Sequence, residues 1–176
     1  MASIPVEIAY RYCPTCAEPN KTIGAIPFKC DQCGHACFFG PVAAVGALIE
    51  DSQNRLLFVR RARDPGKGKW GLPGGFVDRN ESVEEALVRE VREETQLAVT
   101  ECRYLMSGPN NYQYQGVISA VIDLFFVCRI QSADGIAIAK DELERYIWAE
   151  PQEQLLNDMA FSSNRRAVEA WMQLRS

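Results

Sequence analysis

The sequence predicts an α/β protein in which strands of mixed direction surround one amphipathic helix, with a small cysteine-rich unit ahead of them. Three observations support this prediction. A capping motif starts a helical pattern of apolar residues near Val83. Runs rich in β-branched and aromatic residues lie on both sides of that helix. Two C-x-x-C pairs lie near the N-terminus, and we predict two domains, residues 1–40 and 41–176.

The cysteine-rich unit holds its four key thiols in two pairs, Cys13 with Cys16 and Cys30 with Cys33. Thirteen residues separate the pairs, which is close to the spacing of four-cysteine zinc sites. Four thiolates close a tetrahedral structural site, and so short a segment needs the metal to supply folding energy. A redox C-x-x-C needs a strand–helix context that neither pair has. We therefore predict a ribbon that binds structural Zn²⁺. His35 and Cys37 follow the second pair, but the four cysteines already complete the site.

The ribbon also contains more aromatic residues than so small a unit needs. Buried aromatic side chains dominate interface energetics. We expect the ribbon to pack through them against the larger domain or a second subunit; they are Tyr10, Tyr12, Phe28, Phe38 and Phe39. Its basic and acidic residues are balanced, which disfavours the alternative that the ribbon is a nucleic-acid adaptor.

Composition excludes several classes of protein. The chain has 176 residues, 47% hydrophobic and 24% charged, with a net charge of −4. These values are typical of a globular protein and disfavour a general nucleic-acid binder. Apolar runs are too short to cross a membrane, and the N-terminus does not read as a secretory signal. Seven cysteines, an odd number, predict a reducing cytoplasmic setting.

Hydrophobic alternation and turn residues place the elements of the larger domain in order. Strands are predicted over residues 42–50, 55–61, 98–106, 117–130 and 145–149. Helices are predicted to begin near Val83 and to span residues 151–156 and 164–174. Residues 108–116 are predicted to form an aromatic, amide-rich loop. The last helix should turn Ala167, Trp171 and Leu174 inward. Mixed strands with helices on either side predict an α/β sandwich.

The helix that starts near Val83 carries the strongest functional signal. Ser82 and Glu85 form an S-x-x-E capping box, which fixes the start of the helix and hence its phase. The inward stripe then contains Val83, Ala86, Leu87, Glu90, Glu94 and Leu97. Charge runs are usually solvated faces, but Glu90 and Glu94 lie inside this stripe and Glu93 lies at its border. Buried carboxylates need a cation, and a hard divalent metal with oxygen ligands fits.

The same stretch resembles the signature of the Nudix hydrolases. The matching positions are Gly75, Glu81, Arg89, Glu90, Val91, Glu93, Glu94 and Leu97. The final glycine of the signature is replaced by Gln96, which adopts a left-handed turn less easily than glycine. The resemblance covers roughly residues 42–175 and implies an α/β/α sandwich with a mixed sheet. It also implies hydrolysis of a nucleoside diphosphate linked to another group, with Mg²⁺ or Mn²⁺ as the catalytic metal.

The resemblance implies roles for particular residues. Glu90 and Glu94 bind the metal, the carbonyl of Gly74 assists them, and Glu93 is a further ligand or the base that takes a proton from water. Arg89 orients a carboxylate, with Glu81 as its partner. The catalytic set is therefore Glu81, Arg89, Glu90, Glu93 and Glu94. A second acid from the C-terminal part often completes the metal site in this family, and spacing leaves Asp141, Glu142 and Glu144 open.

Substrate contacts are less specific in the sequence. Arg60, Arg61, Arg63, Lys67 and Lys69 could hold phosphates, although each taken alone fits a solvated basic loop. Tyr112 and Tyr114 could stack on a base, or pack in the core or on the surface.

The ribbon-plus-Nudix order is similar to the NADH pyrophosphatase group, but one motif of that group is missing. Where that group has Ser-Gln-Pro-Trp, this chain has Ser107-Gly108-Pro109-Asn110. ADP-ribose, nucleotide sugars, dinucleotides and oxidised nucleotides all stay open as small-molecule substrates. Family members are commonly dimers, so a homodimer is plausible. A non-catalytic module that senses a nucleotide is the alternative function.

Overall fold

The computed structural model describes residues 3–175, which form two compact units. One unit contains the chain up to Pro41 together with Asn111–Ala120, and the other contains Val42–Asn110 and the chain from Val121 onward. The independence of residues 1–40 as a domain stays a prediction. The strands are β1 (Ile4–Pro5), β2 (Phe28–Lys29), β3 (Ala36–Cys37), β4 (Val42–Ile49), β5 (Leu56–Arg61), β6 (Trp70–Gly71), β7 (Val99–Tyr114), β8 (Val117–Ile130) and β9 (Leu143–Ala149). The helices are α1 (Val6–Ala9), α2 (Val83–Thr95), α3 (Glu153–Asn157) and α4 (Ser162–Gln173).

The cysteine-bearing unit has its own small apolar core. Strands β2 and β3 form an antiparallel pair, and Phe28 is buried in one cluster with Cys13 and Cys30. The ring of Tyr10 lies 5.0 Å from that of Phe28 and 4.8 Å from that of Phe39, each edge to face. These aromatic side chains pack on one another, so their burial is explained without an interface. Tyr12 and Phe38 are 64% and 69% exposed within the described chain.

The second unit contains two sheets. In the first, β4 and β8 run parallel from Val42 beside Val121 to Ile49 beside Cys128, and β7 flanks β8. In the second, β5 lies between β6 and β9 and is antiparallel to both. Parallel and antiparallel pairs therefore occur in one unit, which confirms the predicted mixed strands.

Alternate side chains of each strand point to opposite faces of the sheet. Helices cover both of these faces. On β5, Leu57 packs in the cluster that contains Ala86 and Leu87 of α2. Its neighbours Leu56 and Phe58 pack in the cluster that contains residues of α4. These two buried clusters give the α/β/α sandwich that the sequence predicts.

Two predicted features of the region after residue 41 are wrong. Residues 108–116 are not a loop, because β7 continues to Tyr114 and β8 begins at Val117. The turn between them has positive φ at Gln115 (49°) and Gly116 (79°), the geometry of a tight hairpin that matches the twist of paired strands. Leu174 follows the end of α4 and is 61% exposed, whereas Ala167 and Trp171 are buried as predicted.

Helix α2 ends where the sequence departs from the family signature. Gln96 has φ 62° and ψ 10°, so it adopts the left-handed conformation that a glycine would supply. Its backbone N–H and its side-chain amide both donate to the carbonyl of Arg92, the latter at 3.0 Å. The substitution therefore preserves the path of the chain, and the side-chain hydrogen bond offsets part of the backbone strain.

We expect Gln96→Gly to stabilise the fold slightly. Glycine removes a left-handed penalty of about 1–2 kcal/mol but loses a hydrogen bond worth about 1 kcal/mol, so the melting temperature should rise by roughly 2 °C. Gln96→Ala is the matched control, since it keeps the strain and loses the hydrogen bond; its melting temperature should fall. A lower melting temperature for the glycine variant in a thermal melt would contradict this account.

Within residues 3–175, none of the helices has the length and hydropathy needed to cross a bilayer.

Candidate functional site

The capping box of α2 forms as predicted and sets the phase of the helix. The Ser82 hydroxyl accepts a hydrogen bond from the Glu85 N–H at 3.2 Å, and the Glu85 carboxylate accepts one from the Ser82 N–H at 2.7 Å. A helix that starts here turns Glu94 inward, where only 6% of the residue is exposed. The Glu90 side chain is 15% exposed and the Glu93 side chain 62% exposed. Ala86, Leu87, Glu90 and Glu94 therefore face inward as predicted, whereas Leu97 lies beyond the end of α2, and Val91 and Thr95 are buried although the stripe did not include them.

Glu94 is a buried carboxyl group that accepts a hydrogen bond from the backbone. The N–H of Gly74 donates to its Oε2 at 2.9 Å. Burial raises the pKa of Glu94 to about 8; the Gly74 N–H acts against this shift, and the nearby charges of Glu90 and Glu142 add to it. Burial also raises the pKa of Glu90, with Arg89 acting in the opposite direction. Two carboxyl groups that are both destabilised as anions form a site that a cation would stabilise.

Glycines at the start of the signature make room for these carboxylates. Gly74 has φ 145°, and a Cβ there would lie 2.1 Å from the carbonyl oxygen of Val45. A Cβ on Gly75 would lie 2.6 Å from the carboxylate of Glu90. Side chains at these positions would push the chain away from β4 or displace Glu90, so glycine is required for the backbone to approach the acids.

Arg89 connects three of the acidic residues. Its Nε and Nη2 donate to the two carboxylate oxygens of Glu81 at 3.1 and 2.6 Å, and its Nη1 donates to Glu90 at 2.8 Å and Glu93 at 3.2 Å. Its Nη2 also donates to the carbonyl of Phe76 at 3.0 Å. The hydrogen bond from Arg89 is the main cause of a lowered pKa at Glu81. Arg89 thus orients carboxylates and is itself fixed by a two-point contact with Glu81.

Among the three acids that sequence spacing left open, Glu142 lies beside the carboxylate pair. Its negative charge contributes to the raised pKa values of both Glu90 and Glu94. Its carbonyl accepts a hydrogen bond from the Ala62 N–H at 2.7 Å, and its carboxylate accepts one from Arg63 at 2.6 Å. The loop before β9 is therefore tied to the end of β5, next to the site.

The other two acids point to different surroundings. Asp141 is exposed, and Glu144 faces Arg60 with a nitrogen–oxygen distance of 3.6 Å. Of the predicted basic residues, Arg63 contacts Glu142, and the charge of Arg61 acts on Glu94. Lys67 and Lys69 are exposed. Tyr112 and Tyr114 belong to the cysteine-bearing unit, and base stacking by them stays a prediction.

The four predicted zinc ligands meet in space. The sulfur atoms of Cys13, Cys16, Cys30 and Cys33 all lie within 4.8 Å of one another. Two of the sulfur–sulfur distances are 3.6 Å, between Cys13 and Cys33 and between Cys16 and Cys30. Four sulfurs at the usual 2.3 Å from one zinc ion are about 3.8 Å apart, so the cluster fits a tetrahedral site.

The two cysteine turns share one backbone design. Ala17 and Gly34 directly follow the second cysteine of each pair and have φ 62° and 75°. Their N–H groups donate to the carbonyls of Cys13 and Cys30 at 2.9 Å. Each turn therefore folds back on its first cysteine and brings the two thiols of a pair together.

Comparisons with known proteins agree with this geometry. The family model described as "NUDIX domain" matches residues 40–171. An ADP-ribose pyrophosphatase of Methanocaldococcus jannaschii is 40% identical over 98 residues, which cover 54% of this chain and 57% of that protein. A CTP pyrophosphohydrolase of Escherichia coli is 30% identical over 135 residues, covering 77% of this chain and 94% of that protein.

Solved structures show the same fold. The crystal structure of a MutT NUDIX hydrolase from Burkholderia pseudomallei superposes with a TM-score of 0.62 at 27% identity, covering 74% of this chain and 98% of that one. The family match spans most of the chain and includes the helix that carries the carboxylates. The chain therefore belongs to the Nudix hydrolase family.

Proposed function

We propose that this protein is a divalent-metal-dependent hydrolase that cleaves the diphosphate of a nucleoside diphosphate linked to another group. The observation that carries the proposal is the buried pair Glu90 and Glu94 with Glu142 beside it. The pKa values of Glu90 and Glu94 are both raised, and the charge of Glu142 adds to both shifts, so the three carboxyl groups form a set of hard oxygen donors that suits Mg²⁺ or Mn²⁺. The names of the relatives, an ADP-ribose pyrophosphatase and a CTP pyrophosphohydrolase, support the substrate class.

Each residue of the site has a role in this proposal. Glu90 and Glu94 would hold the metal with help from the carbonyl of Gly74, and Glu142 would complete the donor set. The bound metal would neutralise phosphate charge and lower the pKa of a water molecule. The carboxylate of Glu93 is exposed to solvent, and Arg89 fixes its position. It would therefore accept a proton from that water. Arg89 and Glu81 keep these carboxylates in place.

The ribbon has a separate role in the proposal. Its four thiolates would bind Zn²⁺ as a structural ion, because soft sulfur ligands and hard oxygen ligands select different metals. Two metals with different functions would therefore be bound by one chain.

A substrate panel tests the activity. Purified protein should hydrolyse at least one of ADP-ribose, NADH, a nucleotide sugar and a dinucleotide when Mg²⁺ or Mn²⁺ is added, with products detected by chromatography and phosphate release. The reaction should stop when these metals are withdrawn and resume when they are returned. Tight nucleotide binding without turnover under either metal would contradict the proposal and favour a sensing module.

A further inference from the structure

An ion pair joins the third acid of the carboxylate site to the loop that follows β5. The Nη2 of Arg63 donates to the Oε1 of Glu142 at 2.6 Å. The same two stretches of chain are joined through the backbone, because the Ala62 N–H donates to the Glu142 carbonyl at 2.7 Å. Arg63 is therefore a cation in direct contact with a carboxylate that lies beside Glu90 and Glu94.

The backbone around Glu142 is anchored on α2. The Ala139 N–H donates to the Glu94 carbonyl at 3.0 Å, and the Ala139 carbonyl accepts hydrogen bonds from the N–H groups of Glu142 and Leu143 at 3.0 and 2.8 Å. The charge of Glu142 acts on both acids of the pair, since it adds to the raised pKa values of Glu90 and Glu94. Because the chain is fixed here, a change of partner at Glu142 requires only that its side chain rotate.

The loop that carries Arg63 is closed at its base as well. The Arg61 N–H donates to the Lys69 carbonyl at 3.0 Å, and the Gly68 N–H donates to the Arg61 carbonyl at 2.8 Å. The Arg63 side chain extends from this fixed base and is 58% exposed, and that of Glu142 is 33% exposed. Exposed ion pairs are weak, because water screens the charges and the long side chains lose freedom. The contact is therefore one that a stronger cation can open.

The other arginines that act on these acids are held more firmly than Arg63. Arg89 donates to three carboxylates and to a backbone carbonyl at once. Arg61 donates its Nε to the carbonyl of Pro65 at 2.7 Å. In the described part of the chain, Glu142 is the one ion-pair partner of Arg63. Arg63 is thus the arginine whose release from the site breaks a single contact.

We infer that Arg63 competes with the divalent metal for Glu142, and that the metal gains this carboxylate by displacing Arg63 from it. Two cations on one carboxylate repel each other, so each weakens the binding of the other. Arg63 is then a positioning residue: it holds the Glu142 carboxylate toward the loop after β5 and lowers the affinity of the site for the metal. The inference rests on the proposed function, which assigns Glu142 to the metal.

Mn²⁺ binding to the full chain with its zinc retained tests the competition without turnover, and electron paramagnetic resonance measures the free ion. Arg63→Gln should tighten Mn²⁺ binding at least about threefold, because the competing charge is removed. Arg63→Lys keeps the charge and should bind Mn²⁺ with nearly the parent affinity. Arg92→Gln is the matched control, because Arg92 is exposed on α2 and its loss changes the net charge equally. It should also leave the affinity nearly unchanged, since solvent and salt screen its charge.

A double-mutant cycle shows whether Arg63 acts through Glu142. Glu142→Gln alone should weaken Mn²⁺ binding, because a charged oxygen donor is lost. Adding Arg63→Gln to that variant should bring no further gain in affinity, since the carboxylate for which the two cations compete is already absent. An equal gain with and without the Glu142 carboxylate would show a general effect of charge and overturn the inference. An unchanged or weaker affinity in the single Arg63→Gln variant would also overturn it.

One further variant separates this inference from the proposed function. Glu94→Gln should weaken Mn²⁺ binding if the carboxylates hold the metal as proposed. If the affinity depended on Glu94 but not on Arg63, the competition would be wrong and the metal site would stand. If the parent protein bound no Mn²⁺ at these carboxylates, the metal site and the competition would both be wrong.

Discussion

Replacing Glu94 by Gln will lower the rate of hydrolysis at least ~10²-fold while the protein stays folded. The amide has nearly the same volume and can still accept the hydrogen bond from the Gly74 N–H. It cannot supply the negative charge that holds the metal, so stabilisation of charge in the transition state is lost. Steady-state kinetics on whichever substrate the parent protein turns over provide the measurement.

A second variant on the same helix controls for the loss of charge alone. Glu84 is exposed on α2, away from the inward stripe, so Glu84→Gln makes the same chemical change outside the site. It should keep the parent rate. Comparable rates for the parent and the Glu94 variant would remove the central support for the proposed site.

The pKa of Glu94 adds a readout that needs no substrate. Burial raises the pKa of Glu94 from 4.5 to about 8 in the folded protein, so the protonated carboxyl group favours folding. The stability that it contributes is complete below pH 4.5, falls between the two pKa values, and is lost as pH rises through about 8. In protein free of Mg²⁺ and Mn²⁺, the Gln variant should therefore melt at a higher temperature than the parent above pH 8. The difference should shrink toward zero near pH 4.5. A constant difference across this range would show that Glu94 does not titrate as described.

The second large effect is expected in the ribbon. Replacing Cys30 and Cys33 by Ser together should reduce bound zinc from one ion per chain to none. The unit should lose most of its thermal stability, because its remaining core is little more than Phe28, Tyr10 and Phe39. Metal analysis and a thermal melt test this result. Binding of Mn²⁺ at the carboxylates should change little, since that site prefers hard oxygen ligands.

Cys37→Ser is the matched control for this experiment. Cys37 lies on β3 near the second pair but is not part of the four-sulfur cluster. It should keep its zinc and melt close to the parent. Retention of zinc and melting temperature in the double variant would rule out the structural role. Selective loss of turnover in a folded, zinc-free double variant would instead make the ribbon part of the active site.

Local chemistry explains why the sequence predicts α2 so well. The capping box fixes the start of the helix, and from that point a period of 3.6 residues determines that Glu94 faces inward and Glu93 outward. The cysteine cluster is predicted for a similar reason. One short turn holds each pair of cysteines, and four thiolates around one zinc ion adopt a tetrahedral arrangement.

The features that the sequence does not predict depend on distant parts of the chain. Glu142 is brought to the site by hydrogen bonds from Ala62 to its carbonyl and from Ala139 to the carbonyl of Glu94. Nothing in the spacing of three nearby acids reveals these contacts. The extension of β7 depends on Gln115 adopting positive φ, which its residue type does not favour.

The cysteine-bearing unit is discontinuous, and this affects the order in which the chain can fold during synthesis. Ile4 of β1 pairs with Val117 of β8, and its N–H donates to the carbonyl of Gly116 at 3.0 Å. Its partner is translated about 110 residues later, roughly 5–20 s at ordinary elongation rates. The thiol cluster can close early, but this strand must wait for the hairpin to emerge. A fragment ending at residue 40 would therefore retain the zinc ligands and lack the hairpin against which β1 pairs.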